Sequence, residues 1–334
     1  MKNKIIILSL LLLLAALFVA NIFWGSVHID AADVIKVLTH PGSHDNVAFI
    51  ITGSRLPAAL TATLAGAGLA VSGLMLQTAF HNPLAGPSIL GISAGANLGV
   101  AIVILAFGGG IATTIYTLSG GLAIIGAALI GSMAIMALLI FLSAILKNNL
   151  MLLITGIMVG YLTSSVISLL NFLASAENIQ SFIIWGMGNF NGVSMQQMPI
   201  FAALCLLGIL LSSLLVKPLN AILLGERYAS NLGVNIQRTR SLLLLATGLL
   251  TAVITAYCGP IAFIGLATPH IAFLVIGTSN HRLLLPATLI AGSIIALLCN
   301  LLCTLPASTV VPLNAVTPIM GVPVILYIVL KRNR

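Results

Sequence analysis

The chain is a succession of uninterrupted apolar blocks, each about as long as a bilayer is thick. A helix crossing roughly 30 Å of hydrocarbon needs about 20 apolar residues. Such blocks lie near 5–24, 57–79, 89–107, 119–146, 150–173, 196–216, 241–257, 261–277, 283–303 and 315–330. No Asp, Glu, Lys or Arg falls well inside any of them. Charged residues are 5% of the 334, against 60% hydrophobic, and a soluble domain carries about 25% charge. Membrane strands would alternate polar and apolar residues in segments of about ten, whereas these blocks are continuous. The expected fold class is all-α: a polytopic membrane protein of ten transmembrane helices, forming one domain over 1–334, with the first span and an outside segment in 1–54.

Ten spans put both termini on one side, and Lys/Arg asymmetry decides which side. With the termini cytoplasmic, Lys2, Lys4, Lys147, Lys217, Arg227, Arg238, Arg240, Arg282, Lys331, Arg332 and Arg334 fall inside, and only Lys36 and Arg55 fall outside. Asp30, Asp33, Asp45 and Glu177 fall outside and Glu226 inside. This orientation accounts for the net charge of +8. No face gathers enough basic residues for nucleic acid. Lys2 and Lys4 before an apolar run resemble a secretory signal, but the run continues to about Trp24 without a small-x-small cleavage site, so it reads as an uncleaved first span. Cys205, Cys258, Cys299 and Cys303 lie in or beside apolar blocks and read as packing residues. His28, His40 and His44 match no metal-ligand spacing, and no metal or cofactor is expected.

One stretch breaks the apolar pattern in the second half. Residues 217–240, KPLNAILLGERYASNLGVNIQRTR, hold five of the charged residues, with turn formers Pro218, Gly225 and Gly233 around a short polar run compatible with a helix. A protein that only conducts needs no such loop, whereas one pushed by a soluble partner does. Two further segments carry Gly/Pro breaks at membrane depth, 81–99 and 258–270, each with Gly-Pro followed shortly by Gly. Spans two to five echoed by seven to ten would form an inverted repeat, and paired broken segments point to a transport pathway. Gln77, Asn97, Asn171 and Asn300 read equally as pore-lining groups or as interhelical hydrogen-bond pairs. His270 reads as hydrogen-bonded structure rather than a proton relay.

Four stretches resemble the permease family of bacterial binding-protein-dependent ABC importers for iron-siderophore complexes, heme and cobalamin. They are Arg55-Leu56-Pro57, the run SGLMLQTAFHNPLAGPSILGISAGANLG, the segment LGERYASNLGV, and GPIAFIGLATPHIAF followed by LLLPATLIAG. The similarity runs from about Arg55 to the C-terminus, making 55–334 the family core.

The resemblance implies a bacterial inner-membrane permease that pairs with a second copy, with two cytoplasmic ATPase subunits below and a soluble periplasmic or lipid-anchored binding protein above. It implies ATPase coupling through Gly225, Glu226, Arg227, Ala229, Leu232 and Gly233, docking of the binding protein at Arg55, and a cytoplasmic gate near Asn148 and Asn149. The chain departs from the family at Ala58, Asn300, Thr304 and Val310, where charged residues are usual. It has no GxxxxGK[ST] phosphate loop, so the motor must be another subunit and this chain is not expected to be an enzyme. The alternative is an ion-coupled secondary transporter. Such proteins tend to keep ionisable residues inside the membrane, which this sequence does not.

Overall fold

In hydrocarbon a backbone must satisfy its own N–H and C=O groups, so each apolar block becomes a helix. The computed structural model describes residues 2–39, 46–106, 118–146, 149–305 and 310–332. The expectations placed on His40, His44, Asp45, Lys147, Asn148 and Arg334 lie outside those residues. In order the helices are α1 (Lys2–Phe23), α2 (Ala31–Thr39), α3 (Asn46–Ile50), α4 (Leu56–Phe80), α5 (Ile92–Ala101), α6 (Leu118–Ile145), α7 (Asn149–Leu173) and α8 (Ala176–Gly186). They continue as α9 (Met198–Leu214), α10 (Val216–Ile222), α11 (Glu226–Asn231), α12 (Ile236–Cys258), α13 (Ile264–Ile276), α14 (His281–Thr304) and α15 (Leu313–Arg332). π-helical turns at Ile51–Arg55 and Ile102–Ala106 lead into α4 and extend α5. Among the described residues there is no strand.

Among the described residues, six helical segments are long and apolar enough to cross a membrane, and a seventh if α9 and α10, bent by 49°, form one span. Ile92–Ala106, Ile264–Ile276 and Leu313–Tyr327 are shorter apolar helices. The apolar windows of α4, α12 and α14 are 83%, 72% and 61% buried, against 11%, 28% and 22% for α1, α6 and α7. The centre of the bundle is therefore α4, α12 and α14, and the outer helices present Leu, Ile and Phe outward, among them Phe141, Leu162 and Phe172.

Small residues set how closely helices approach, because lipid gives no hydrophobic drive between them. A Cβ added at Gly66 on α4 or Gly292 on α14 would run into the other's carbonyl oxygen. A Cβ at Gly95 on α5 would stand 2.5 Å from the Gly131 oxygen on α6. Polar pairs then fix register. Asn300 on α14 donates to the Asn21 oxygen at 2.8 Å, and Asn21 donates to the Leu297 carbonyl at 3.1 Å, seating α1 on the core.

Candidate functional site

The loop over 217–240 folds from its own sequence. Gly225 takes φ +105°, a conformation L side chains avoid, and turns the chain into α11. Glu226 opens that helix, where a carboxylate complements the positive end of the dipole. The helix ends in a Schellman motif: Gly233 at φ +84° donates to the Ser230 carbonyl at 2.9 Å, and Val234 donates to the Ala229 carbonyl at 3.0 Å. Asn235 caps the next helix, its side chain accepting from the Arg238 amide at 2.9 Å. The short polar run of the sequence is thus a stopped, capped, one-and-a-half-turn helix. Ala229 is its buried foot, while Arg227, Tyr228 and Leu232 are exposed.

Three ties bind this loop to the bundle. Arg240, 8% exposed on α12, donates from Nη2 to Glu226 Oε1 at 3.4 Å and from Nη1 to the Leu146 carbonyl at 3.3 Å. Asn220 on α10 accepts at Oδ1 from the backbone N–H and Nδ1 of His281, both at 2.9 Å, at the start of α14. His81, which ends α4 in the left-handed conformation (φ +47°), donates from Nε2 to the Ile222 carbonyl at 3.1 Å. Directed bonds thus join α11 to α12 through Arg240, which also holds the end of α6, and join α10 to α4 and α14.

The two Gly/Pro-broken segments, far apart in sequence, meet in the fold. His270 on α13 donates to the Pro83 carbonyl at 2.9 Å, and Gln77 donates to the Leu266 carbonyl at 3.0 Å. A Cβ on Gly265 would stand 3.1 Å from Pro87 Cδ. Pro87, Ile261, Phe263 and Leu266 line a common cavity of about 220 Å³. Phe263 enters α13 at φ +66°, a strained conformation for a bulky residue, held against Gly321 of α15. His270 has the structural role its sequence context suggested.

Arg55 does not present its charge to the surface. It is 7% exposed, and its guanidinium donates to the carbonyls of Ile22 and Phe23 at 2.9 and 2.8 Å and to that of Val27. It closes the free C-terminal carbonyls of α1. Those bonds hold the side chain inward in this chain, where the sequence led to an expected docking role for Arg55. Of the two residues expected at a gate, Asn148 lies outside the described residues and Asn149 begins α7.

The four polar candidates divide into two kinds. Gln77 and Asn300 are interhelical partners. The side-chain oxygens of Asn97 and Asn171 are buried without a hydrogen-bond partner, and both residues line one cavity. Sequence reasoning missed Arg240 and Asn220 as ties. Arg240 had one legible signal, a cation directly abutting the apolar block that starts at 241.

The sequence matches the FecCD transport family over residues 12–331. It is 35% identical over 282 residues to the vitamin B12 import system permease protein BtuC of Citrobacter koseri, covering 84% of this chain and 82% of that one. The Salmonella typhi protein of the same name is 35% identical over 284 residues, covering 84% and 83%. The fold superposes with a TM-score of 0.83, at 30% identity and over 98% of this chain and 99% of the other, on a structure described as an inward-facing conformation of a metal-chelate type ABC transporter.

Proposed function

The chain belongs to the FecCD transport family, and from that premise we propose how it works as the permease of an ABC importer for iron chelates or cobalamin. Two copies pair in the bacterial inner membrane, two ATPase subunits dock on the cytoplasmic side, and a soluble or lipid-anchored binding protein delivers the chelate from outside. This chain hydrolyses nothing itself. The three shorter apolar helices and the bent pair complete ten spans, with both termini cytoplasmic.

An inverted repeat of α4–α7 and α12–α15 has support in the element order. Each half runs long helix, break, short helix, then two more helices, and the first helix of each half packs on the third helix of the other. The crossing contacts are Gly66 with Gly292 and Gly248 with Met136.

The observation that carries the coupling assignment is the form of the 217–240 loop. It is a capped helix with exposed Tyr228 and Leu232 at its tip and three bonded ties at its base. A soluble subunit gripping the helix built by Gly225, Glu226, Arg227, Ala229, Leu232 and Gly233, with Ala229 as its buried foot, moves the bundle through those ties. The Arg240 bond ends on Leu146, two positions in the sequence before the proposed gate at Asn148 and Asn149. Arg55 serves the docking face indirectly, by fixing the α1 end around which that face forms.

Reconstitution tests this. Liposomes holding the permease with its ATPase and binding protein should import chelate only with ATP, hydrolysed on the side of the 217–240 loop. Equal uptake by the permease alone, driven by an ion gradient, would replace this reading.

A further inference from the structure

A groove of about 430 Å³ runs along the side of α1 that faces away from the bundle, within the roughly 300–1,000 Å³ range of ligand pockets. Ala16, Val19, Ala20 and Phe23 recur at helical spacing along its wall. The chain then returns over 24–31 and covers the end, with His28 and Asp30 at the mouth. Arg55 holds that return in place by donating to the carbonyls of Phe23, at 2.8 Å, and of Val27. A Cβ on Gly25 would stand 2.8 Å from Arg55 Nε, so the return lies close against the guanidinium.

The opposite side of α1 is the one that meets the bundle. Leu14, Leu17 and Phe18 pack against the core, and Asn21 bonds the Leu297 carbonyl. On the groove side, Ile5, Leu8 and Leu12 precede Ala16 at helical spacing and are 65%, 59% and 65% exposed. The groove thus continues a stripe that faces hydrocarbon. The 22 residues of α1, at about 1.5 Å each, span roughly the thickness of that hydrocarbon. With Lys2 and Lys4 at one surface, the groove lies in the opposite leaflet and its mouth falls at headgroup level. Trp24, 62% exposed beside the mouth, is the residue type that marks this level.

We infer that the groove seats an acyl chain of one phospholipid, with an ammonium headgroup of the phosphatidylethanolamine type at the mouth. Lipid chains already cover the stripe, so a chain entering the groove gives up no contact with water. A soluble partner would first have to displace the bilayer. The headgroup follows from charge. The Asp30 side chain is 81% exposed, and among the described residues it pairs only with the His28 ring, at 3.8 Å. The groove lining includes no Lys or Arg. A carboxylate in that position attracts an ammonium and repels the net negative charge of a phosphatidylglycerol. The inference needs α1 to cross the membrane and does not depend on what the protein transports.

Trp24 supplies the test. The chain has two tryptophans, and Trp185→Phe leaves Trp24 as the single reporter. The full chain is placed in phosphatidylcholine nanodiscs doped with phosphatidylethanolamine or phosphatidylglycerol, each brominated on its acyl chains and at equal mole fraction, since bromine quenches an indole it touches. The association constant read from Trp24 quenching should be about two- to fivefold higher for phosphatidylethanolamine, the worth of one exposed charge pair. Asp30→Asn should erase that preference. Ala16→Phe and Ala20→Phe each fill the wall and should bring quenching by both lipids down to what mole fraction alone gives. Gel filtration reports that each variant folds. Equal quenching by the two lipids before Asp30 is changed, a preference that survives Asp30→Asn, or quenching unaltered in both Phe variants would overturn the site. Absence of quenching by either lipid would also overturn it and leave the groove to a protein partner.

Discussion

Arg240 and Glu226 are fourteen positions apart and meet at 3.4 Å, joining the first turn of α12 to the first residue of α11. The same guanidinium holds the Leu146 carbonyl at 3.3 Å. One side chain thus links the exposed helix, a central span and the end of α6. The Arg240 side chain is 9% exposed and that of Glu226 37%, so the link stands partly out of water and resists screening better than a surface pair.

Breaking that link should separate hydrolysis from transport. Arg240→Met keeps the aliphatic stem and removes both bonds. Transport per ATP hydrolysed is expected to fall several-fold while the protein still inserts and ATP turnover persists. Arg240→Lys should recover only part of the loss, because one ammonium does not reproduce a planar fork. Parallel assays of uptake and phosphate release read both quantities.

Gly233 tests the helix stop. Nothing lies within 4 Å of an added Cβ there, so any penalty comes from the backbone at φ +84°. Gly233→Leu should cost about 1–2 kcal/mol locally, fraying α11 without unfolding the bundle. The expected readout is normal expression with reduced coupling, seen as faster protease cleavage near Leu232 and lower uptake per ATP.

Arg55→Met should act on stability. It strips the donor from the Ile22 and Phe23 carbonyls at the end of α1 and from the Val27 carbonyl beyond it, a loss of about 3 kcal/mol given what hydrogen bonds to charged groups contribute. A clear drop in thermal midpoint is expected, with binding-protein affinity per folded molecule changed less than about twofold. A titration showing normal stability and lost affinity would return Arg55 to direct contact.

Gly95→Leu should block assembly. Its Cβ would stand 2.5 Å from both the Gly131 oxygen and Ile135 Cγ1. Overpacking of this kind costs about 1–3 kcal/mol or more where the neighbour is backbone. Loss of the monodisperse peak in gel filtration is the expected sign, whereas Gly126→Leu, with open space around it, should elute normally.

Much of this was legible in the residues. Hydrophobic blocks mark helices because hydrocarbon permits little else, and the turn glycines Gly225 and Gly233 announced the ends of α11. The short helices α2 and α8 were not foreseen, since neither is long enough to give a span signal. The amides show the deeper limit. Asn97, Asn171, Asn300 and Gln77 have the same chemistry in similar apolar settings, and only the arrangement of helices decides which find partners. Arg55 makes the same point: its charge was legible, but the three carbonyls it bonds were not.

The side of the membrane on which the 217–240 loop stands tests the central claim most directly. Leu232→Cys places a thiol at the exposed tip of the loop, and the native cysteines Cys205, Cys258, Cys299 and Cys303 are buried. A membrane-impermeant maleimide applied to intact cells should leave Leu232→Cys unmodified, label it after permeabilisation, and be blocked when the ATPase subunits are bound. Labelling in intact cells would put the loop outside, where no ATP-driven subunit can grip it.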